Sequence, residues 1–166
     1  MLIGVPKELH PDEKRVSLVP NDVKKLVRLG ADVRIEKGIG SNLGYSDTEY
    51  SESGAIISEN RDELLQTSDI ILRIRKPVPD EIQKLKTNAI HISFLDPFNE
   101  TELIQEFQTN KITAISMEMI PRTTLAQKMD ALSSQANLAG YVMVILACQK
   151  LPSILPMMMT PAGTLK

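Results

Sequence analysis

Asp69-Ile70-Ile71-Leu72-Arg73-Ile74, then Arg75-Lys76-Pro77-Val78-Pro79-Asp80-Glu81, then Asn88-Ala89-Ile90-His91-Ile92-Ser93-Phe94-Leu95 is the stretch that decides the fold. The first segment is a β-branched run, which reads as a strand. Pro79-Asp80-Glu81 has the chemistry of a helix start, with proline in the first turn and carboxylates beside the positive end of the dipole. That helix reaches to about Leu85. The run from Asn88 to Leu95 reads as the next strand. A strand, a short helix and a second apolar strand in succession are the unit of a parallel α/β sheet.

The same alternation extends in both directions. Upstream, Met1 to Val5 reads as a first strand. Pro20-Asn21-Asp22 opens a helix to Leu29, with Val23, Leu26 and Val27 on one face and Gly30 as its stop. Ala31 to Ile35 and Ala55 to Ile57 are further strands, and Arg61 to Gln66 is a helix. Downstream, Glu100 to Gln108 is a helix and Lys111 to Ser116 a strand. The expected fold is an α/β open parallel sheet with helices on both faces, flavodoxin-like, with right-handed crossovers. No repeat of 20–50 residues is present.

The last third differs. Residues 1–124 form the α/β domain in this reading, and residues 125–150 a long connecting helix, because Leu125 to Lys150 has no proline. Ala126, Ala131, Ser133, Ser134, Ala136, Ala139 and Gly140 are small and let another element approach. Residues 151–166 read as an irregular tail with three prolines and the run Met157-Met158-Met159.

Composition narrows the function. The chain has 166 residues, 42% of them apolar and 24% charged, enough to bury a core. Nineteen basic residues face 21 acidic ones, which leaves no electrostatic footprint for nucleic acid. Cys148 is the only cysteine, so no intrachain disulfide forms and a cytosolic setting is the default. The start has no signal-peptide pattern. The most apolar run, Leu138 to Cys148, is short of the roughly 20 residues a membrane span needs.

Most site motifs fail on spacing. Gly38-Ile39-Gly40-Ser41-Asn42-Leu43-Gly44 follows a strand, but the dinucleotide fingerprint wants glycine where Leu43 stands and a helix at once. It reads as a glycine-rich loop. No Walker-type sequence is present. His10 and His91 lack the spacing of a zinc site. His10 reads as a surface loop residue and His91 as a satisfied buried histidine. Ser133 and Ser134 sit mid-helix without a nucleophile elbow.

Two clusters stand out. Pro6-Lys7-Glu8 with Glu13-Lys14-Arg15-Val16-Ser17 follows the first strand, where open α/β sheets place ligands. Arg15 there is either a fork for a carboxylate or phosphate or part of a solvated loop. The second cluster, Arg122, Gln127, Asp130 and Ser133, gathers a guanidinium, an amide, a carboxylate and a hydroxyl at a loop–helix junction. Asp130 and Ser133 share a face at i,i+3. Such a set suits a polar flat group such as a carboxamide.

These stretches resemble the family of alanine dehydrogenases and the alpha subunit of proton-translocating nicotinamide nucleotide transhydrogenase. The likeness rests on Gly4-Val5-Pro6-Lys7-Glu8 with Glu13 to Pro20, on Asp69 to Pro77, and above all on Ile120 to Tyr141. That last stretch is more like the transhydrogenase. The resemblance implies the N-terminal part of the NAD(H)-binding component, hydride transfer between NAD(H) and NADP(H), and no acid or base. By that likeness Asp130 and Ser133 hold the carboxamide and ribose of the cofactor, Arg122 sits by its polar groups, and Gln127 reaches toward NADP(H) on a partner domain. Implied partners are a Rossmann NAD-binding domain following this segment, NADP(H)-binding and membrane components, and a second copy in a homodimer. The implied location is the cytoplasmic side of the inner membrane.

Departures bear on the other branch. Alanine dehydrogenases have a substrate-binding lysine where this chain has Arg75, and a catalytic histidine near Asp96. An amino-acid dehydrogenase relative using Arg15 and Arg75 as a substrate pocket is therefore the second reading. A non-catalytic dimerisation or assembly module is the third. The run Met157 to Met159 matches neither branch.

Overall fold

The computed structural model describes residues 1–153 and 157–165. Two compact units are present, Met1–Ile120 and Pro121–Lys166.

In the first unit, β1 (Leu2–Val5), β2 (Asp32–Glu36), β3 (Ala55–Ser58), β4 (Ile70–Leu72), β5 (Ile90–Ser93) and β6 (Thr113–Ser116) form one sheet in the order β3-β2-β1-β4-β5-β6. Every pairing is parallel. The helices are α1 (Pro20–Arg28), α2 (Asp47–Glu52), α3 (Arg61–Thr67), α4 (Pro79–Ile82) and α5 (Thr101–Thr109). Strands run outward one way from β1 to β3, then return past β1 and run the other way from β4 to β6. The reversal lies between β1 and β4.

Strand β4 shows why these sequences are apolar at successive positions rather than alternately. Ile71 joins a buried cluster with Leu64 and Leu65 of α3, Ile82 of α4 and Phe107 of α5. Its neighbours Ile70 and Leu72 pack on a second cluster, with Val23 of α1 and Tyr50 of α2. Both faces are covered, so side chains on both faces must be apolar.

Helix α2 follows the glycine-rich loop, in a stretch where the sequence reading placed no element. Ser46 accepts from the Glu49 amide and Glu49 bonds back to the Ser46 amide, a reciprocal capping box. Its apolar contribution is a single residue, Tyr50, fully buried with its hydroxyl donating to Leu18 O at 3.0 Å.

Gly4 admits α3 to the sheet. A Cβ there would run into Ser68 Oγ and stand 2.9 Å from Ser68 Cβ and 3.0 Å from Ile71 Cδ1. Ser68 is fully buried and donates to Leu64 O at 2.6 Å, so it has little room to yield. Gly4→Ala is expected to lower stability by about 1–3 kcal/mol, the cost of overpacking. Urea unfolding of the variant measures it, and Ser68→Gly in the same chain should restore part of the loss.

In the second unit, α6 (Ala131–Lys150) begins later than the Leu125 expected from sequence. Asp130 caps it, and the preceding Gln127–Met129 is a 3-10 turn. The tail is less irregular than expected, since β7 (Met158–Thr160) pairs antiparallel with β8 (Gly163–Leu165). Met158 and Met159 stand in β7, both exposed.

Helix α6, 20 residues long with an 18-residue window of mean hydropathy 1.4, is long and apolar enough by those measures to cross a membrane. The sequence reading had counted only the run from Leu138 to Cys148. The close approach expected of its small residues is not realised at Gly140, where a Cβ would meet nothing within 4 Å.

Candidate functional site

Doubly wound sheets bind ligands beyond the carboxyl ends of the strands, at the reversal of strand order. Here that place, between β1 and β4, is occupied by the chain's own charges. Arg61, at the start of α3, donates from Nη1 to Glu36 at 2.5 Å and to Lys7 O at 2.9 Å, and from Nε to Glu81 at 2.6 Å. Arg73, just past β4, donates to the other oxygen of Glu81 at 2.6 Å. Burial pushes the Glu81 carboxyl up, but Arg61 and Arg73 together hold it below its usual range.

The loop after β1 closes over the same edge. Glu8 accepts from the amides of Ile74 at 2.6 Å and Arg75 at 3.2 Å. Ser17 donates to Leu72 O at 3.1 Å. Glu13 is the centre of the first candidate cluster. Its Oε1 accepts from Arg15 N at 3.1 Å and Arg15 Nε at 2.7 Å. Its Oε2 accepts from Arg15 Nη2 at 2.6 Å and Arg75 Nε at 3.1 Å. The Arg15 hydrogen bonds, with help from Arg75, pull the Glu13 carboxyl down to about 2 against the opposing effect of burial. Arg15 and Arg75 therefore stand together, as the second sequence reading required, but both are turned onto an internal carboxylate.

The glycine loop has little to offer a phosphate. The amides of Ile39, Ser41, Leu43, Gly44 and Tyr45 all bond to carbonyls within the loop or at its base, and that of Gly38 to Asp47 Oδ1 at 2.8 Å. Gly38 and Gly44 have φ of +72° and +82°, so glycine serves the turn itself.

His91 corrects the sequence reading. It is fully buried on β5, against the Phe107 ring at a centroid distance of 5.1 Å. Neither ring nitrogen has a hydrogen-bond partner among the described residues. Burial, then the Arg73 charge, pushes its pKa down to about 3, with Glu81 opposing. His10 is exposed, as expected, and accepts from Asp12 N. Among the described residues no cluster of three metal-ligating side chains exists.

Asp96, in the run Phe94–Pro97 where the sequence reading looked for the histidine of the amino-acid branch, has φ +53°. Its amide and that of Leu95 donate to Glu118 Oε1 at 2.5 and 2.9 Å. Asn99 donates to its carboxylate at 2.9 Å.

The second cluster lies wholly in the second unit. Arg122, Thr123, Thr124, Gln127 and Asp130 line one cleft of about 260 Å³. Ser133 Oγ donates to Asp130 Oδ2 at 2.6 Å and Ser133 N to Oδ1 at 2.9 Å. These bonds, and more weakly the Arg122 charge, lower the Asp130 pKa. Thr123 Oγ1 accepts from Ala126 N at 3.3 Å and shapes the turn that presents Gln127. Asp130 is at once a helix cap and the acidic wall of the cleft.

The donor set suits a primary carboxamide. Ser133 uses its proton on Asp130, so its lone pairs remain for an N–H. Each Asp130 oxygen keeps acceptor capacity beside its bond to Ser133. Arg122 and Gln127 supply donors for a carbonyl. Thr123 and Thr124 were missed in the sequence reading, although their place between Arg122 and Gln127 was a signal.

Residues 4–139 match the family model described as alanine dehydrogenase/PNT, N-terminal domain. The chain is similar to the first part of the NAD(P) transhydrogenase alpha subunit of Rhodospirillum rubrum, 38% identical over 169 residues, which cover 99% of this chain and 44% of that protein. A crystal structure of transhydrogenase from Sinorhizobium meliloti superposes with a TM-score of 0.91 at 41% identity, covering 99% of this chain and 49% of that one. Alanine dehydrogenase of Methanococcus maripaludis is 32% identical over 151 residues, 91% of this chain and 40% of that protein. The chain thus spans less than half the length of these relatives.

Proposed function

Since the chain belongs to the alanine dehydrogenase/PNT family through its N-terminal domain, we propose that it is the N-terminal part of the NAD(H)-binding component of a proton-translocating transhydrogenase. The single observation that carries this is the cleft formed by Arg122, Gln127 and Asp130 with Ser133 bonded behind it.

In this reading the complete protein moves hydride between NAD(H) and NADP(H), and the nicotinamide rings supply that chemistry. The residues of this chain bind and orient. Asp130 and Ser133 accept from the carboxamide N–H groups of bound NAD(H) and fix which face of the ring is presented. Arg122 meets the polar groups of the same cofactor, and Gln127 reaches toward NADP(H). No side chain moves a proton. The protein contributes by holding the ring within reacting distance.

A Rossmann NAD-binding domain, NADP(H)-binding and membrane components and a second copy of the chain are the partners of this reading, on the cytoplasmic side of the membrane. The glycine loop, with the amides of Gly38, Ile39, Ser41, Leu43, Gly44 and Tyr45 already committed, supports a phosphate grip elsewhere in the complete protein. So does the crevice filled by Arg61 and Glu81. The exposed apolar side chains of α6 suit a helix that the rest of that protein covers. Arg15 and Arg75, held by Glu13, and the lack of a histidine in the run Phe94–Pro97 weigh against amino-acid oxidation.

Asp130→Asn and Asp130→Ala in the complete protein test this. Asparagine still caps a helix, so its melting temperature should stay near that of the parent, while alanine loses the cap. Both variants should slow hydride transfer by about tenfold to a hundredfold, the scale of a misplaced reactant. Rate losses that merely track stability losses would overturn the assignment. Oxidation of alanine by the complete protein would favour the other branch.

A further inference from the structure

The loop from Arg122 to Asp130 is held unevenly. At its carboxyl end Asp130 is tied into α6 by four hydrogen bonds. Ser133 N and Oγ donate to its carboxylate, and Ser134 N and Oγ donate to its carbonyl at 3.3 and 3.0 Å.

At its amino end packing gives little hold. Leu125 is 92% exposed, and of residues 121–130 only Ala126 is buried. Hydrogen bonds set the chain there instead. Thr123 N donates to Pro121 O at 2.9 Å, closing a three-residue turn centred on Arg122. Ala126 N donates to Thr123 Oγ1 at 3.3 Å, and Met129 N donates to Ala126 O at 2.8 Å. A threonine hydroxyl that takes a backbone amide in this way stands in for the carbonyl of a turn. Because Ala126 is buried, its amide has little water to turn to if the hydroxyl is lost, and the turn must move to satisfy it.

Gln127 lies between these two holds. It is exposed, so packing does not fix its direction. Its carbonyl accepts from Asp130 N at 3.3 Å, and its own amide follows directly on Ala126. The direction in which its side chain leaves the loop is therefore set by Asp130 on one side and by the Thr123-bound Ala126 on the other.

We propose that Thr123 is a positioning residue, whose hydroxyl aims Gln127 in the cleft by holding the Ala126 amide. This rests on the reading of the cleft as a nicotinamide site of a hydride-transfer protein.

The test is a double-variant cycle on Thr123→Val and Gln127→Ala in the complete protein, read as the rate of hydride transfer. Gln127→Ala reports on the cleft reading by itself and should slow transfer by about tenfold or more. Thr123→Val keeps the shape of the side chain and removes the acceptor. It should slow transfer by about tenfold, the scale of a small misplacement. Its melting temperature and NAD(H) affinity should stay near the parent's, because Asp130 and Ser133 keep their bonds. The double variant should be no slower than Gln127→Ala, since Thr123 acts through Gln127. Thr123→Ser retains the hydroxyl and should restore most of the rate.

If Gln127→Ala transfers hydride at the parent rate, the cleft reading fails and takes this proposal with it. If Gln127→Ala is slow, the reading stands, and three results overturn the proposal alone. These are a parent-like rate in Thr123→Val, additive losses in the double variant, and a Thr123→Ser as slow as Thr123→Val.

Discussion

Glu81→Ala is expected to lower the unfolding free energy by about 3–5 kcal/mol, the cost of leaving a buried charge without its partner. Arg61 keeps Glu36 and Lys7 O in the variant. Arg73 keeps nothing comparable, since its guanidinium is 3% exposed in its side chain and its Nε already lacks a partner. Against a typical domain stability of about 5–15 kcal/mol, that loss is large. The melting temperature should fall by about 10–20 °C. Glu81→Gln should fall between parent and alanine, because its amide turns a donor toward one of the two arginines. The double variant Arg73→Met with Glu81→Leu separates the pair's net worth from the cost of breaking it. Replacing both charges with apolar groups should recover much of the loss. If Glu81→Ala alone melts within a few degrees of the parent, the ion network does not hold α3 and α4 to the sheet edge.

The second large effect is acid sensitivity from His91. Its pKa in the folded protein, about 3, lies below the ordinary 6.5. As pH falls, the unfolded chain takes up the proton first, so stability is complete above the ordinary value and is lost between there and the folded value. Between pH 7.5 and pH 5 the loss should be about 2 kcal/mol. The window is clean. The depressed carboxyls of Glu13, Glu81 and Glu118 contribute stability that is present above about 4.5 and lost only below it. His91→Leu should flatten the profile between pH 5 and 7.5. It should also raise stability at pH 7.5 by about 1 kcal/mol or more, because two buried ring nitrogens without partners are removed. Urea unfolding at the two pH values decides it. A slope that survives in His91→Leu would place the acid sensitivity elsewhere.

Both residues show where reading the chain alone falls short. Glu81 sits in Pro79-Asp80-Glu81, and the dipole accounts for a carboxylate there without any partner. Nothing in the sequence links it to Arg61, twenty positions earlier. His91 lies in an apolar run, and its burial was legible for that reason. Whether its nitrogens are satisfied depends on side chains of α4 and α5 and on the end of β4. The first cluster was half legible. Arg15 was marked by residue type and by its place after a strand and Arg75 only by the family resemblance, while the carboxylate that joins them, Glu13, passed as part of a charged loop.

The opposite holds for the Asp130–Ser133 pair, whose partners are three residues apart and joined as the spacing requires. The capping box at Ser46 was equally local. Its Ser-Asp-Thr-Glu pattern was open to reading, but Tyr50 as the lone apolar residue gave α2 no periodicity to support it.

By itself, the sequence determined the alternation of strand and helix, the coverage of both sheet faces and the pairing of Asp130 with Ser133. Those properties follow from side-chain period, turn chemistry and bonds within one helical turn, so a local stretch contains their cause. Only the tertiary structure decided that Glu81 joins two arginines, that Glu13 occupies the Arg15–Arg75 pair and that His91 stays neutral. Those depend on loss of water and on charges brought within about 3 Å from distant positions, and their magnitude is set by burial that no single segment creates.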